Sequence, residues 1–336
     1  MPKTKYSNYR GRTPAGKILL IVVLTLVILA AAAVILLQQY IVYDESGTPH
    51  LLLPEKEPTA EVTPPPEQGE PPIDLTIEGS PAPAQIAAQL LSADPAAWRA
   101  ERTAAVGCNA FVVDVKTAGG LVQFASVTPG AALAPTAAAG SAALKELLAG
   151  EDYAVARLSC FRDGRYSAAN LDSAGLKNTG GYLFYDGQSA TWLDPGKPAA
   201  RAYLIALAKE CAALGFDELL LTDLSYPTVG KLDKIAYGET MKDQNLALFL
   251  QEMQAALADF EVKLSLELPA VVLIDGRDSV AGLLLADLVP LADRIYAPAA
   301  TKEEAAAFAA AVTALRPAAD FVPETPKPLG ETYLLT

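Results

Sequence analysis

The chain has 336 residues, 51% of them hydrophobic, with 39 acidic against 26 basic residues and a formal net charge of -13. That length allows one large domain with appendages, and so acidic a body excludes a nucleic-acid binder, because phosphate contacts need cationic surface. One histidine, His50, lies in the amino-terminal part, which excludes His-based nucleophilic triads and histidine zinc sites from the remainder.

Residues 1–17 hold Lys3, Lys5, Arg10, Arg12 and Lys17 and no acidic residue, and read as a basic cytoplasmic tail. Residues 18–37 are an apolar run whose only hydroxyl is Thr25. About 20 such residues span a bilayer as a helix, so residues 18–40 are expected to form one transmembrane helix. The basic flank then keeps the amino terminus in the cytoplasm and puts the rest of the chain outside, in a type II arrangement at the cell membrane. A cleavable signal peptide, with residues 30–33 at the cleavage site, is the alternative. Against it, residues 34–37 stay apolar where a signal peptide turns polar. Residues 40–43 could carry the helix into the interface. Residues 41–72 include a long stretch rich in Pro, Glu and Thr, expected to be a disordered, solvated spacer.

Residues 73–336 form the body. Strands are predicted over residues 73–78, 110–116, 153–161, 218–224, 262–268, 294–297, 320–322 and 332–335. Helices are predicted over residues 83–91, 94–105, 142–148, 198–214, 243–258, 280–288 and 302–315, the fourth with Leu204, Leu207, Ala208 and Cys211 at helical spacing. Alternation of this kind implies a parallel sheet, and the size fits a (β/α)8 barrel of the TIM type. A doubly wound open sheet is the runner-up, favoured if the last two strands fail to close the ring. Cys108, Cys160 and Cys211 are odd in number and widely spaced, which excludes a disulfide framework and a CxxC metal site and predicts buried free thiols.

No GxxxxGK[ST] or GxGxxG occurs, so no nucleotide cofactor or metal is expected. Carboxylates, Lys, Arg and Tyr remain as candidates. Strand alternation puts Asp114 and Lys116 on one face of residues 110–116, Arg157 and Ser159 on one face of the next strand, and Glu267 with Ser265 on one face of residues 262–268. The opposite faces must pack on helices, so these side chains are expected in the barrel mouth. Paired carboxylates at strand ends are the usual equipment for glycoside hydrolysis. An inward ion-pair network that only fills the barrel top is the competing reading. The long loop 162–197 brings Tyr166, Tyr182, Phe184, Tyr185 and Trp192, either to stack on sugar faces or to pack the loop on itself.

Several blocks, in order, resemble a glycoside-hydrolase family with a TIM-barrel domain, first described as a domain of unknown function. They are NAFVVDVKTAGG with Asp114 and Lys116, ARLSCFRD with Arg157, Phe161 and Asp163, WLDPGKPAARAYLIALAKECAALGFDEL with Trp192, Pro195, Tyr203 and residues 215–218, and, loosely, RIYAP. After GFDE the family continues Phe-Asp-Tyr-Ile-Arg-Phe-Pro. Here Thr222 stands at the family's Asp and Ser225 at its Arg, with Asp223 one position late. One position turns a strand side chain to the other face unless a bulge re-aims it. The resemblance implies a membrane-anchored, extracytoplasmic barrel acting on or binding polysaccharide. Glu267 is then the candidate acid/base, Asp223 or Asp114 the second carboxylate, and Lys116, Arg157, Asp163, Tyr185 and Trp192 the substrate contacts. A catalytically inactive glycan-binding or structural envelope protein on the same barrel is the alternative.

Overall fold

The computed structural model describes residues 41–43, 49–51 and 85–336. The expected cytoplasmic tail, the transmembrane segment 18–40, most of the spacer and the strand at 73–78 fall outside those residues. Among the described residues no helix is long and apolar enough to cross a membrane. Ile41–Tyr43 pairs antiparallel with Pro49–Leu51, so residues 41–43 are extended and not the end of a helix.

The described residues 85–336 belong to one compact unit built on eight parallel strands. These are β1 (Ala87–Leu90), β2 (Ala110–Lys116), β3 (Tyr153–Ser159), β4 (Glu218–Thr222), β5 (Lys263–Glu267), β6 (Arg294–Pro298), β7 (Asp320–Thr325) and β8 (Tyr333–Leu335). β8 pairs with β7 through Glu324 and Leu334 and with β1 through Tyr333 and Ala87, and β1 pairs with β2. The ring is therefore closed, which removes the open-sheet alternative. Outside it lie α1 (Trp98–Ala104), α2 (Ala137–Leu147), α3 (Pro198–Leu214), α4 (Lys242–Leu257) and α5 (Lys302–Leu315). α3 starts on Pro198 and ends at Gly215 with φ +98°, and α5 is capped by Thr301, whose side chain accepts from Glu304 N–H.

The first strand is a correction. Residues 83–91 read as helical because Ala is the best helix former, yet Ala87–Leu90 is β1. Between β8 and β2, a two-residue alternation puts Ile86 and Ala88 in the barrel interior, and that burial overrides propensity.

Alternation gives the barrel two cores. Ala88, Ala110, Val112, Tyr153, Val155, Leu220, Tyr296, Val322 and Leu334 fill the inside. Phe111, Val113, Ala154, Ala156, Leu219, Leu221, Leu264, Leu266 and Ile295 pack outward against the helices. The amino end of the barrel is closed by a buried cluster. Arg294 pairs with Glu218, whose oxygens also accept from the hydroxyls of Tyr153 at 2.9 Å and Tyr296 at 2.8 Å. Every charge there is compensated, as burial requires. The carboxyl end is left open.

Candidate active site

At the carboxyl ends of the strands, Arg157 joins two carboxylates. Its Nη1 lies 3.0 Å from Asp114 Oδ1, and its Nη2 and Nε lie 2.8 and 2.9 Å from Glu267 Oε2. Three interior positions on β2, β3 and β5 thus form one charged cluster, half-buried, of which Glu267 meets the cleft. Above it opens a cleft of about 500 Å³, walled by Arg162, Asp186, Gln188, Trp192, Asp223 and Glu267 among others.

Asp223 reaches this cleft by an unusual route. Thr222 ends β4 in register with Ser159, so simple alternation sends residue 223 outward. Asp223 instead takes a left-handed backbone, φ +47°, which Asp tolerates better than most residues. Its Oδ2 accepts from the inward-facing Ser159 hydroxyl at 2.6 Å. No bulge is involved: one left-handed residue returns the late carboxylate to the mouth. Thr222 is buried and brings no carboxylate of its own.

Lys116 and Asp163 are placed differently from expectation. A bulge in β2 pairs Asp114 with Arg157 but Lys116 with Leu158, one position further along two residues of β2. That shift moves Lys116 off the face of Asp114. Its ammonium is buried, 3.0 Å from Asp163 Oδ2, and donates to the Ser159 carbonyl at 2.7 Å. Asp163, also buried, accepts at Oδ1 from the N–H groups of Arg165 and Tyr166 at 2.9 and 2.8 Å. Both residues are sealed from the cleft and tie the loop after β2 to the loop after β3.

Gly120 makes that tie possible. It has φ +83°, and a Cβ there would sit 2.1 Å from Asp163 Oδ1. The Gly120→Ala variant therefore meets both backbone strain and a displaced buried carboxylate. A loss of more than about 2 kcal/mol is expected, read as a lowered midpoint in urea.

The aromatics of loop 162–197 divide. Tyr166 stacks on Tyr203 with centroids 3.7 Å apart, Phe184 is buried, and Trp192 is buried with Nε1 donating to Asp186 Oδ2 at 3.0 Å. Tyr182 and Tyr185 are exposed. Trp192 meets the cleft as a wall, while Tyr185 belongs to a neighbouring hollow. Cys108, Cys160 and Cys211 are free. Among the described residues no group of His, Cys, Asp or Glu is arranged to hold a metal ion.

One titratable group is absent from the sequence reading. Glu324, on the inward face of β7 with Val322, has a buried Oε1 without a hydrogen-bond partner. Burial first, then the charge of Glu267, push its carboxyl up to about 8, with the Arg157 guanidinium pulling the other way. Glu324 therefore keeps its proton at neutral pH beside Glu267. Alternation in DFVPET marks Glu324 as inward, but Pro323 reads as the end of a strand.

No curated protein matches the chain. Among solved structures, the PgaB (BpsB) glycoside hydrolase domain from Bordetella bronchiseptica is 15% identical with a TM-score of 0.52, over 72% of this chain and 84% of that one, a likeness of fold. A hypothetical protein from Ruminiclostridium thermocellum is 25% identical over 50% of this chain and 87% of its own, with a TM-score of 0.43. A chitinase from Chromobacterium violaceum is 16% identical over 72% and 68%, with a TM-score of 0.44. The family described as "Putative glycosyl hydrolase domain" (DUF4015) matches residues 99–296. That match spans more than half of the sequence and includes β2, β3 and β5, which carry Asp114, Arg157 and Glu267, and the chain belongs to this family.

Proposed function

We propose that the barrel hydrolyses a polysaccharide, with Glu267 as proton donor and Asp223 as the second carboxylate. The observation that carries this reading is that Glu267, clamped by Arg157, and Asp223, fixed by the Ser159 hydroxyl, line the same cleft at the carboxyl ends of the strands, with the raised carboxyl of Glu324 beside Glu267. Two carboxyls facing one cleft are what acid–base chemistry at a glycosidic bond needs. Of Glu267 and Glu324, Glu267 is the member that lines the cleft. Glu324 acts through it, as a positioning residue that keeps a proton on the pair. Arg157, itself held by Asp114, keeps the Glu267 carboxyl in place.

In the step this arrangement supports, the proton held on Glu324 passes to Glu267 and from Glu267 to the glycosidic oxygen, as the bond from that oxygen to the sugar's anomeric carbon breaks. Water adds to that carbon, and Asp223, ordered by Ser159, takes its proton. The basic residues of the tail, the apolar run 18–37 and the Pro/Glu-rich segment favour a membrane-anchored chain with the barrel outside the cytoplasm. A second reading, a barrel that binds glycan without turnover, is favoured by Thr222 and Ser225 at the positions where the family has Asp and Arg.

The test uses the purified full-length chain with cellulose, xylan, chitin and peptidoglycan, following reducing-end release and binding together, beside Glu267→Gln. Release by the parent and none by the variant is the expected result. Binding without release would replace hydrolysis by the second reading, and the absence of both would sink the carbohydrate reading for these glycans.

A further inference from the structure

A second hollow, of about 410 Å³, shares Arg162 with the cleft and lies on the other side of the segment 185–192. Arg162 stands between the two, its Nη2 donating to Gln188 Oε1 at 3.2 Å. The segment itself is stiff. Asp186 Oδ1 accepts from the N–H groups of Gln188 and Ala190, and Tyr185 bridges to Thr191. At the hollow, Tyr185 leaves 62% of its surface exposed.

Small residues make up much of the lining of the hollow, Ala118, Ala168, Ser189 and Ala190 among them. Gly119 and Gly164 line it. A Cβ at Gly119 would meet only Thr117 Oγ1 at 3.8 Å. One at Gly164 would meet the Gly119 carbonyl and Thr191 Oγ1, both at 3.6 Å. These are ordinary contacts, and neither backbone is left-handed. The fold demands glycine at 120, where Asp163 fills the space, but not at 119 or 164. Glycine at those two positions leaves that part of the hollow unfilled by side chains.

We infer that this hollow is a further sugar-binding subsite, with one ring of the glycan laid over Gly119 and Gly164, its apolar face against Tyr185 and its hydroxyls within reach of Arg162. The inference rests on the glycan reading above and adds that the site takes a chain of several units running past Arg162, rather than a chain end alone. A flat aromatic presented at the edge of a trough that also offers Arg162, Ser189 and Thr191 suits a sugar, which has an apolar face and a hydroxyl rim.

The experiment measures binding of two- to six-unit oligosaccharides, cut from each of the four glycans, to the full-length parent, Tyr185→Ala and Gly119→Leu. The parent is expected to gain affinity with length. In both variants the ratio of six-unit to two-unit affinity should fall, roughly tenfold. Tyr185 is exposed, so its replacement leaves packing intact even if Gly119→Leu folds poorly. A parent that gains with length while Tyr185→Ala keeps the same ratio would overturn the subsite and leave the hydrolase reading standing. A parent that binds no oligosaccharide would overturn both.

Discussion

Glu324→Gln is expected to lower kcat by about 10²- to 10⁴-fold, the usual worth of positioned proton transfer, with a smaller change in KM. The effect arises because Gln can hydrogen-bond to Glu267 but cannot keep an exchangeable proton on the pair. The pH profile separates this from simple misfolding. In the parent, the limb at high pH should fall as the proton leaves near pH 8, and in Glu324→Gln that limb should vanish or move. Stability gives a second readout. The folded carboxyl binds its proton up to about pH 8, whereas the unfolded one releases it near its ordinary 4.5. The folded state thus holds the extra proton between those values, and the contribution is fully present below about 4.5 and lost as pH rises through 8. The slope is at most about 1.4 kcal/mol per pH unit. Glu324→Gln should flatten that decline and be more stable than the parent at pH 8 to 9. A variant with parental activity and a parental stability profile would remove Glu324 from the site.

The same residues show what a sequence can carry. Period-two alternation was enough to bring Asp114, Arg157 and Glu267 to one mouth, because each sits within a strand whose other face must meet helices. It failed wherever one residue broke the period. The bulge in β2 sends Lys116 to Leu158 and the buried Asp163, and nothing in AFVVDVK announces it. The left-handed backbone at Asp223 restores a carboxylate that alternation turns away. Glu324 was hidden by Pro323, and β1 by the helix propensity of alanine. In each case a local rule lost to closure of the ring, which the sequence specifies only through contacts distant along the chain.

Lys116→Met should cost roughly 3–5 kcal/mol, the range for removing one partner of a buried ion pair. The ammonium is sealed in, so its loss leaves the Asp163 carboxylate without its counter-charge while two backbone N–H groups and Gly120 still hold it in place. Asp163→Asn should cost less, because its side-chain oxygen still accepts from Arg165 and Tyr166. The double variant Lys116→Met/Asp163→Asn should be less destabilised than the sum of the two, since the stranded charge is gone. Urea unfolding of the four proteins measures this cycle. The direction matters for function as well as for folding. If Lys116→Met unfolds at the parental midpoint yet loses glycan binding, the lysine contacts substrate and the buried pair opens in the working protein. If it loses stability and the double variant regains part of it, the buried charge lies beneath the cleft, holding the loops that carry Gly119, Gly164 and Arg162.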